Sequence, residues 1–255
     1  MPWYKLEETA WEEQMKTLAS WEVDGIVAPQ YFYRPAMHRP SGFVRQVSDM
    51  AMKYGIRIKA AHGLLGKQHD LGLADAAALR DHGCFLCELA SVGVKTYTVH
   101  AGTQHFPADQ ASTISESFWS CLKNSIDRLL PIAEKLGILI ALENIYEPPF
   151  LLEKLLETCH QFFHSNLGLC FDAGHANLNT RGLAWVFQQM KDGIVTCHLH
   201  DNDGITDLHA APGTGNIDFP KLAAELRKLP RLVHIETETR VFSETIWRDF
   251  QRLIR

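Results

Sequence analysis

The chain has 255 residues, 46% hydrophobic and 22% charged, and its 25 Lys and Arg against 30 Asp and Glu leave a net charge of −5. That composition provides apolar material for a sizeable core and excludes disorder, collagen and coiled coil. No stretch nears the roughly 18 uninterrupted apolar residues of a membrane span, and the carboxylate excess gives no basic footprint for nucleic acid or anionic lipid.

Helical and extended patterns then alternate along the chain. Ala10 to Ser20 reads as a helix whose Trp11, Met15 and Leu18 have core spacing, with Glu7 to Glu13 as a solvated face. Gly25 to Ala28 reads as a strand closed by Pro29, and Phe43 to Tyr54 as a helix stopped by Gly55. Ile56 to Ala61 is a strand ending at His62. Leu73 to Val92 is helical, and Val94 to Val99 is a strand ending at His100. Ser112 to Leu136 is a long helical stretch that Pro131 is expected to kink or divide, with Gly137 as its stop. Ile138 to Leu142 is an apolar strand ending at Glu143. Phe150 to His164 is a helix, and Leu167 to Phe171 a strand ending at Asp172. After a helix from Leu183 to Met190, the strand Ile194 to Cys197 ends at His198. Phe219 to Leu229 is helical, Leu232 to Ile235 is a strand ending at Glu236, and Ser243 to Ile254 is a final helix.

Strand and helix in strict alternation imply a parallel sheet covered on both faces. With a weak strand at Trp3 to Leu6 the count reaches eight, the number of a closed (β/α)8 TIM barrel spanning residues 1–255 as one domain. The competing open doubly wound sheet predicts a G-x-G-x-x-G turn, and none is present.

The strongest functional signal is positional. Six successive strands end at His62, His100, Glu143, Asp172, His198 and Glu236, and in a barrel these carboxyl ends converge on the face where active sites lie. Taken singly, such a residue is a helix cap, a loop ion pair or a hydrogen-bonded structural histidine. Their succession is harder to explain by packing, which favours apolar residues. Alternation along the strands places His198 with His200 on one face, and His234, Glu236 and Glu238 on another. Carboxylates sharing a pocket repel unless a cation sits between them. Carboxylate with imidazole suits Zn, Mn, Co or Fe, and the lack of thiolate argues against a structural zinc. The expected ligands are Glu143, Asp172, His198 and Glu236, surrounded by His62, His100, His175, Asp207 and His209. Elsewhere, Cys84-Phe-Leu-Cys87 falls within a helix and is expected to be buried packing, and Gly213-Thr-Gly215-Asn a flexible turn beside the site. There is no G-x-S-x-G elbow.

The motifs ALEN around Glu143, FDAGH around Asp172, HLHDND around His198, DLH at Asp207 to His209 and HIETE around Glu236 together resemble the xylose isomerase-like TIM-barrel superfamily. That superfamily contains sugar isomerases and epimerases, inosose-processing enzymes and endonuclease IV. The resemblance runs from about Ile56 to Glu238. It implies a divalent-metal-dependent isomerase or epimerase of carbohydrate metabolism, with Mn, Zn, Co or Mg held by Glu143, Asp172, His198 and Glu236. Glu143 and Glu236 would also be the catalytic acid–base pair working through a metal-stabilised enediolate, with His62, His100, His175 and His209 binding substrate. The partner implied is a small sugar or polyol, selected by loops such as Gln30 to Pro40 and Gln104 to Ala111. Nucleic acid is disfavoured, a membrane is not expected, and a homo-oligomer is left open. The alternative is an endonuclease IV-type apurinic/apyrimidinic endonuclease. Its three zinc ions take ligands that map onto His62, His100, Glu143, Asp172, His175, His198, Asp207, His209 and Glu236. The carboxylates of MPWYKLEETAWEEQ stand where a signal peptide needs a basic start and an apolar run. With six cysteines too sparse for a disulfide scaffold, the expected setting is cytoplasmic.

Overall fold

The computed structural model describes residues 10–33, 42–106, 114–163 and 166–254. Seven strands, β1 (Gly25–Ala28), β2 (Arg57–His62), β3 (Thr96–Val99), β4 (Leu139–Glu143), β5 (Leu167–Asp172), β6 (Ile194–Leu199) and β7 (His234–Thr237), pair in parallel in chain order. They form a nearly closed TIM barrel. The expected eighth strand at Trp3 to Leu6 lies outside the described residues, as do parts of the two loops expected to set specificity.

Helices occupy the connections: α1 (Trp11–Ser20), α2 (Phe43–Met52), α3 (Ala76–Ala90), α4 (Glu116–Leu136), α5 (Pro149–Cys159), α6 (Ala173–Asn177), α7 (Leu183–Met190), α8 (Phe219–Leu226) and α9 (Glu244–Ile254). Strand parity explains the core. Ile140 and Leu142 of β4, Leu169 and Phe171 of β5, and Cys197 and Leu199 of β6 face outward and join one large apolar cluster. Helical residues such as Leu79, Leu86, Leu122, Ile126, Leu129, Leu152 and Leu155 complete it. The alternate residues Glu143, Asp172 and His198 therefore point into the barrel. Ala141 and Cys170, one pleat earlier on β4 and β5, pack with Val195 in a small separate cluster. Met15 and Leu18 of α1 are fully buried, and Trp11 packs its ring on Phe43 at 5.2 Å. No helix among the described residues is long and apolar enough to cross a membrane.

Several sequence expectations are corrected. Pro131 does not divide α4, which runs unbroken from Glu116 to Leu136. Asp127, whose carbonyl loses its partner at Pro131, is exposed, as is Pro131 itself, so water can meet that carbonyl. The strand is shifted from the expected Leu232 to Ile235: Val233 is 48% exposed and its N–H reaches the Val195 carbonyl of β6 at 2.8 Å, and β7 runs from His234 to Thr237, with Glu236 inside it rather than after it. Cys84 and Cys87 are exposed on α3, not buried. The Gly213–Gly215 turn is tied to a buried carboxylate, Asp201, through the backbone N–H groups of Gly213 (2.9 Å) and Gly215 (2.8 Å).

His82 of α3 is buried in the shell between helix and sheet. Its Nε2–H donates to the His69 carbonyl at 2.8 Å, leaving Nδ1 to accept from the Tyr97 hydroxyl at 2.8 Å. Burial pushes its pKa down to about 4, while an unfolded histidine titrates near 6.5. Between those values only the unfolded chain takes up this proton. The contribution of His82 is thus complete above about pH 6.5 and declines as pH falls toward about 4. In urea unfolding, His82→Phe is expected to cost about 1–3 kcal/mol at pH 7.5 by stranding its two partners. The gap from the parent should narrow at pH 5; an equal gap at both pH values would contradict the assignment.

Candidate metal centre

The register places Asp172 of β5 beside His198 of β6, and His198 beside Glu236 of β7. Glu143, at the end of β4, is 2% exposed and stands at the centre of the group. Its two oxygens face different partners. Oε2 is 3.2 Å from His100 Nε2 and 3.4 Å from His62 Nε2, whereas Oε1 is 3.3 Å from His198 Nδ1 and 3.5 Å from His175 Nδ1.

Three of the rings are aimed by a backbone carbonyl on Nδ1. His62 Nδ1 lies 3.0 Å from the Gly63 carbonyl, His175 Nδ1 3.0 Å from the Asn144 carbonyl, and His209 Nδ1 2.9 Å from the Glu238 carbonyl. A backbone carbonyl on one nitrogen fixes ring and tautomer so that the other is offered to the site. Asp172 caps α6 by accepting the His175 N–H on Oδ1 at 2.7 Å, which is why so short a helix forms there. Its own N–H and carbonyl are clamped by the Asn144 side-chain amide at 2.8 and 3.0 Å.

Three sets of oxygen and nitrogen donors, each within 4.8 Å of one another, result: His62, His100 and Glu143; Glu143, Asp172, His198 and Glu238; and His175, His200, Asp207 and His209. Cys170 also lies within that reach of Glu143 and His198, but burial pushes its thiol pKa up and disfavours the thiolate a metal would need. Of the residues expected from sequence, Glu143, Asp172 and His198 come together, and His62, His100, His175, Asp207 and His209 surround them. Glu236 does not join any set. It lies one pleat deeper, its Oε1 2.7 Å from His234 Nε2 and 3.3 Å from Thr196 Oγ1, and its Oε2 3.3 Å from His198 Nε2. Glu238 lies in the set with Glu143, Asp172 and His198, its Oε2 3.2 Å from His198 Nδ1. Both glutamates share a strand face, so their spacing alone does not choose between them; their partners do. Sequence reasoning also missed Asp70, buried behind His100 with Oδ1 3.8 Å from its Nδ1 and Oδ2 2.6 Å from His105 Nε2. No motif marks it.

The donors fit a divalent cation. Asp172 Oδ2, Glu238 Oε2, Asp207 Oδ1 and both ring nitrogens of His200 are buried without a hydrogen-bond partner. His200 Nε2 is 3.0 Å from Asp172 Oδ1 yet out of line for a hydrogen bond. Orphaned oxygens and imidazole nitrogens gathered this closely are the donor set of Zn, Mn or Co sites.

Without a cation, the charges hold one another. Burial opposes ionisation of Glu143, but His198, His100 and His62 outweigh it and keep its pKa well below the usual carboxylate range. Burial likewise opposes charge on Asp172, and His175 and His200 bring it down to about 2. Burial disfavours protonated His198, and the carboxylates of Glu143 and Glu238 overcome it, raising its pKa well above 6.5. His175 is raised in the same sense by Asp172 and Asp207 against burial. His209, also against burial, rises to about 9 beside Asp207 and Glu238.

The chain belongs to the xylose isomerase-like TIM-barrel family, whose profile matches residues 15–255. The uncharacterised protein MJ1311 of Methanocaldococcus jannaschii is 36% identical over 112 residues, so the match spans 42% of this chain and only 38% of that relative's length. Among solved structures, the 3-keto-D-glucoside 4-epimerase YcjR of E. coli superposes on 100% of this chain and 96% of its own, with a TM-score of 0.75 at 17% identity. The TTHB071 protein of Thermus thermophilus, from a crystal soaked with ZnCl2, does so over 99% and 97%, with a TM-score of 0.71 at 21% identity. At these identities the likeness is one of fold.

Protonated histidines and an incoming cation compete for the same nitrogens. Because the pKa values of His62, His175, His198 and His209 are raised in the metal-free chain, Zn2+ uptake at pH 7 is expected to release protons, and affinity to rise with pH as these groups lose them. Calorimetry in buffers of different ionisation enthalpy reads the release directly. A binding heat independent of buffer would contradict this account.

Proposed function

We propose that the chain is a divalent-metal-dependent isomerase or epimerase of a small sugar or keto-polyol. Glu143, Asp172, His198 and Glu238 would hold the cation, and Glu143 and Glu238 would exchange the proton. The observation that carries the reading is the placement of two glutamates, from β4 and the end of β7, on either side of the β5–β6 pair Asp172 and His198, all four within one set of donor atoms.

When bound, the cation supplies Lewis-acid polarisation of a carbonyl oxygen and so acidifies the neighbouring C–H. The protein's residues do the rest. One glutamate removes that proton, and the other returns one to the opposite face of the same carbon, or one of the pair returns it to the neighbouring carbon. The low pKa of Glu143 keeps it ionised. His62 and His100 hold its Oε2, while His175 and His209 offer imidazole N–H groups to substrate oxygens. Glu236 orients His198 through Nε2, a supporting part in place of the ligand and acid–base parts expected from sequence.

Glu143→Gln is expected to lower turnover by about 10²–10⁴-fold and to abolish incorporation of solvent deuterium into substrate carbon on a panel of ketoses and inososes. Undiminished exchange would sink the proton-transfer assignment. Glu238→Gln should weaken metal binding far more than Glu236→Gln; the reverse order would restore Glu236 as the ligand.

A second reading is favoured by one specific observation: Glu143 divides its oxygens between two donor sets, and a third set stands beside them. A carboxylate shared between cations is the arrangement of multinuclear phosphodiesterases, where paired ions steady the attacking and leaving oxygens. Elemental analysis of the loaded chain and incubation with an abasic-site duplex separate the two. One ion per chain and an intact duplex favour the sugar reading; three zinc ions with strand cleavage favour the endonuclease.

A further inference from the structure

We propose that Asp201 is the positioning residue for the third donor set: its carboxylate folds the segment after β6 so that Asp207 and His209 face His175 and His200. The inference rests on the second, multinuclear reading, in which that set holds an ion of its own.

Asp201 directly follows His200 and has no exposed surface. Both of its carboxylate oxygens are occupied by backbone N–H donors. Oδ1 accepts from Asn202 at 2.9 Å and Ile217 at 3.2 Å, and Oδ2 from Gly213 at 2.9 Å and Gly215 at 2.8 Å. The Asp201 backbone also pairs with Ala210, each N–H reaching the other's carbonyl at 2.9 Å. The chain thus leaves Asp201, passes through Asp207 and His209, and is drawn back to the residue it left. Four N–H donors around one carboxylate supply the opposite polarity it needs away from water.

The glycines of this turn are required by the same contact. A Cβ on Gly215 would lie 2.2 Å from the Asn202 carbonyl oxygen and 2.4 Å from Asp201 Oδ1. Gly213 adopts φ +89°, a region side chains rarely enter. Between the pinned ends, His209 itself holds φ +48°. A non-glycine residue keeps such a backbone only where its surroundings over-determine it. Here the His209 carbonyl accepts the Arg240 N–H at 3.0 Å, and the Glu238 carbonyl fixes its ring. The stacking of His209 on His200, with centroids 3.9 Å apart and planes 9° from parallel, follows from that placement.

Asp201→Asn keeps the shape but leaves one side-chain atom unable to accept, so one pair of N–H groups loses its partner. The test titrates the metal-free full chain with Zn2+ against a chromophoric chelator, in the parent, Asp201→Asn, His209→Ala and Glu238→Gln. The ion whose binding is lost in His209→Ala is expected to bind about 10- to 100-fold more weakly in Asp201→Asn, while the ion lost in Glu238→Gln keeps its affinity. Gly215→Ala, which crowds the same carboxylate without removing it, should reproduce the selective loss. Unchanged affinity in Asp201→Asn overturns the proposal, as does equal weakening of every ion, which marks a general packing role. A parent chain with no His209-dependent ion overturns it too. A parent that binds a His209-dependent ion with unchanged affinity in Asp201→Asn overturns the proposal and leaves the multinuclear reading standing, so the two failures are distinguishable.

Discussion

Glu143 carries its charge almost out of water, and the mouth of the barrel is organised by the need to surround it. A buried carboxylate ionises only with positive charge or hydrogen-bond donors close by. Here four imidazoles from β2, the loop after β3, α6 and β6 approach its two oxygens within 3.2 to 3.5 Å. Every one of those rings then needs its own direction fixed, and the carbonyls of Gly63 and Asn144 do this for His62 and His175. The arrangement balances protons against carboxylates, and a cation of the kind proposed would compete with those protons. It is a poor design for stability alone, since apolar side chains of similar volume would fill the same space with less desolvation. That imbalance is the physical reason to regard the cluster as functional.

Much of the architecture was legible because burial on both faces of a parallel strand leaves short apolar runs, and the six runs after the first stopped at a polar residue. Glu143, Asp172 and His198 were found from that stop alone. Glu236 and Glu238 show where the signal ended. Alternation assigns both to the barrel interior, and one pleat, about 6.6–6.8 Å along the strand, separates a residue wired to His234 and Thr196 from one with an orphaned oxygen. Three-dimensional depth has no counterpart in sequence parity. Asp70 was invisible for a related reason: it acts from behind His100, and its partners come from a different loop.

Other features failed to show because their cause is context. α6 is too short for periodicity, and exists because Asp172 caps it. Pro131 reads as a breaker, yet its exposed side of α4 tolerates a missing hydrogen bond. The exposure of Cys84 and Cys87 depends on which face of α3 meets the sheet. The glycine-rich turn looked mobile by composition, whereas its glycines are there to let backbone close on Asp201.

The strand order has a consequence for how such a centre comes into being. Because the sheet is assembled in chain order and the donors run from β2 to just past β7, a chain emerging from the ribosome displays His62, His100 and Glu143 long before Glu238 is made. An early ion would find an incomplete grip and a half-built sheet, with unpaired strand edges open to mispairing. A cation of the kind proposed would therefore meet the full set of donors only once the barrel had closed.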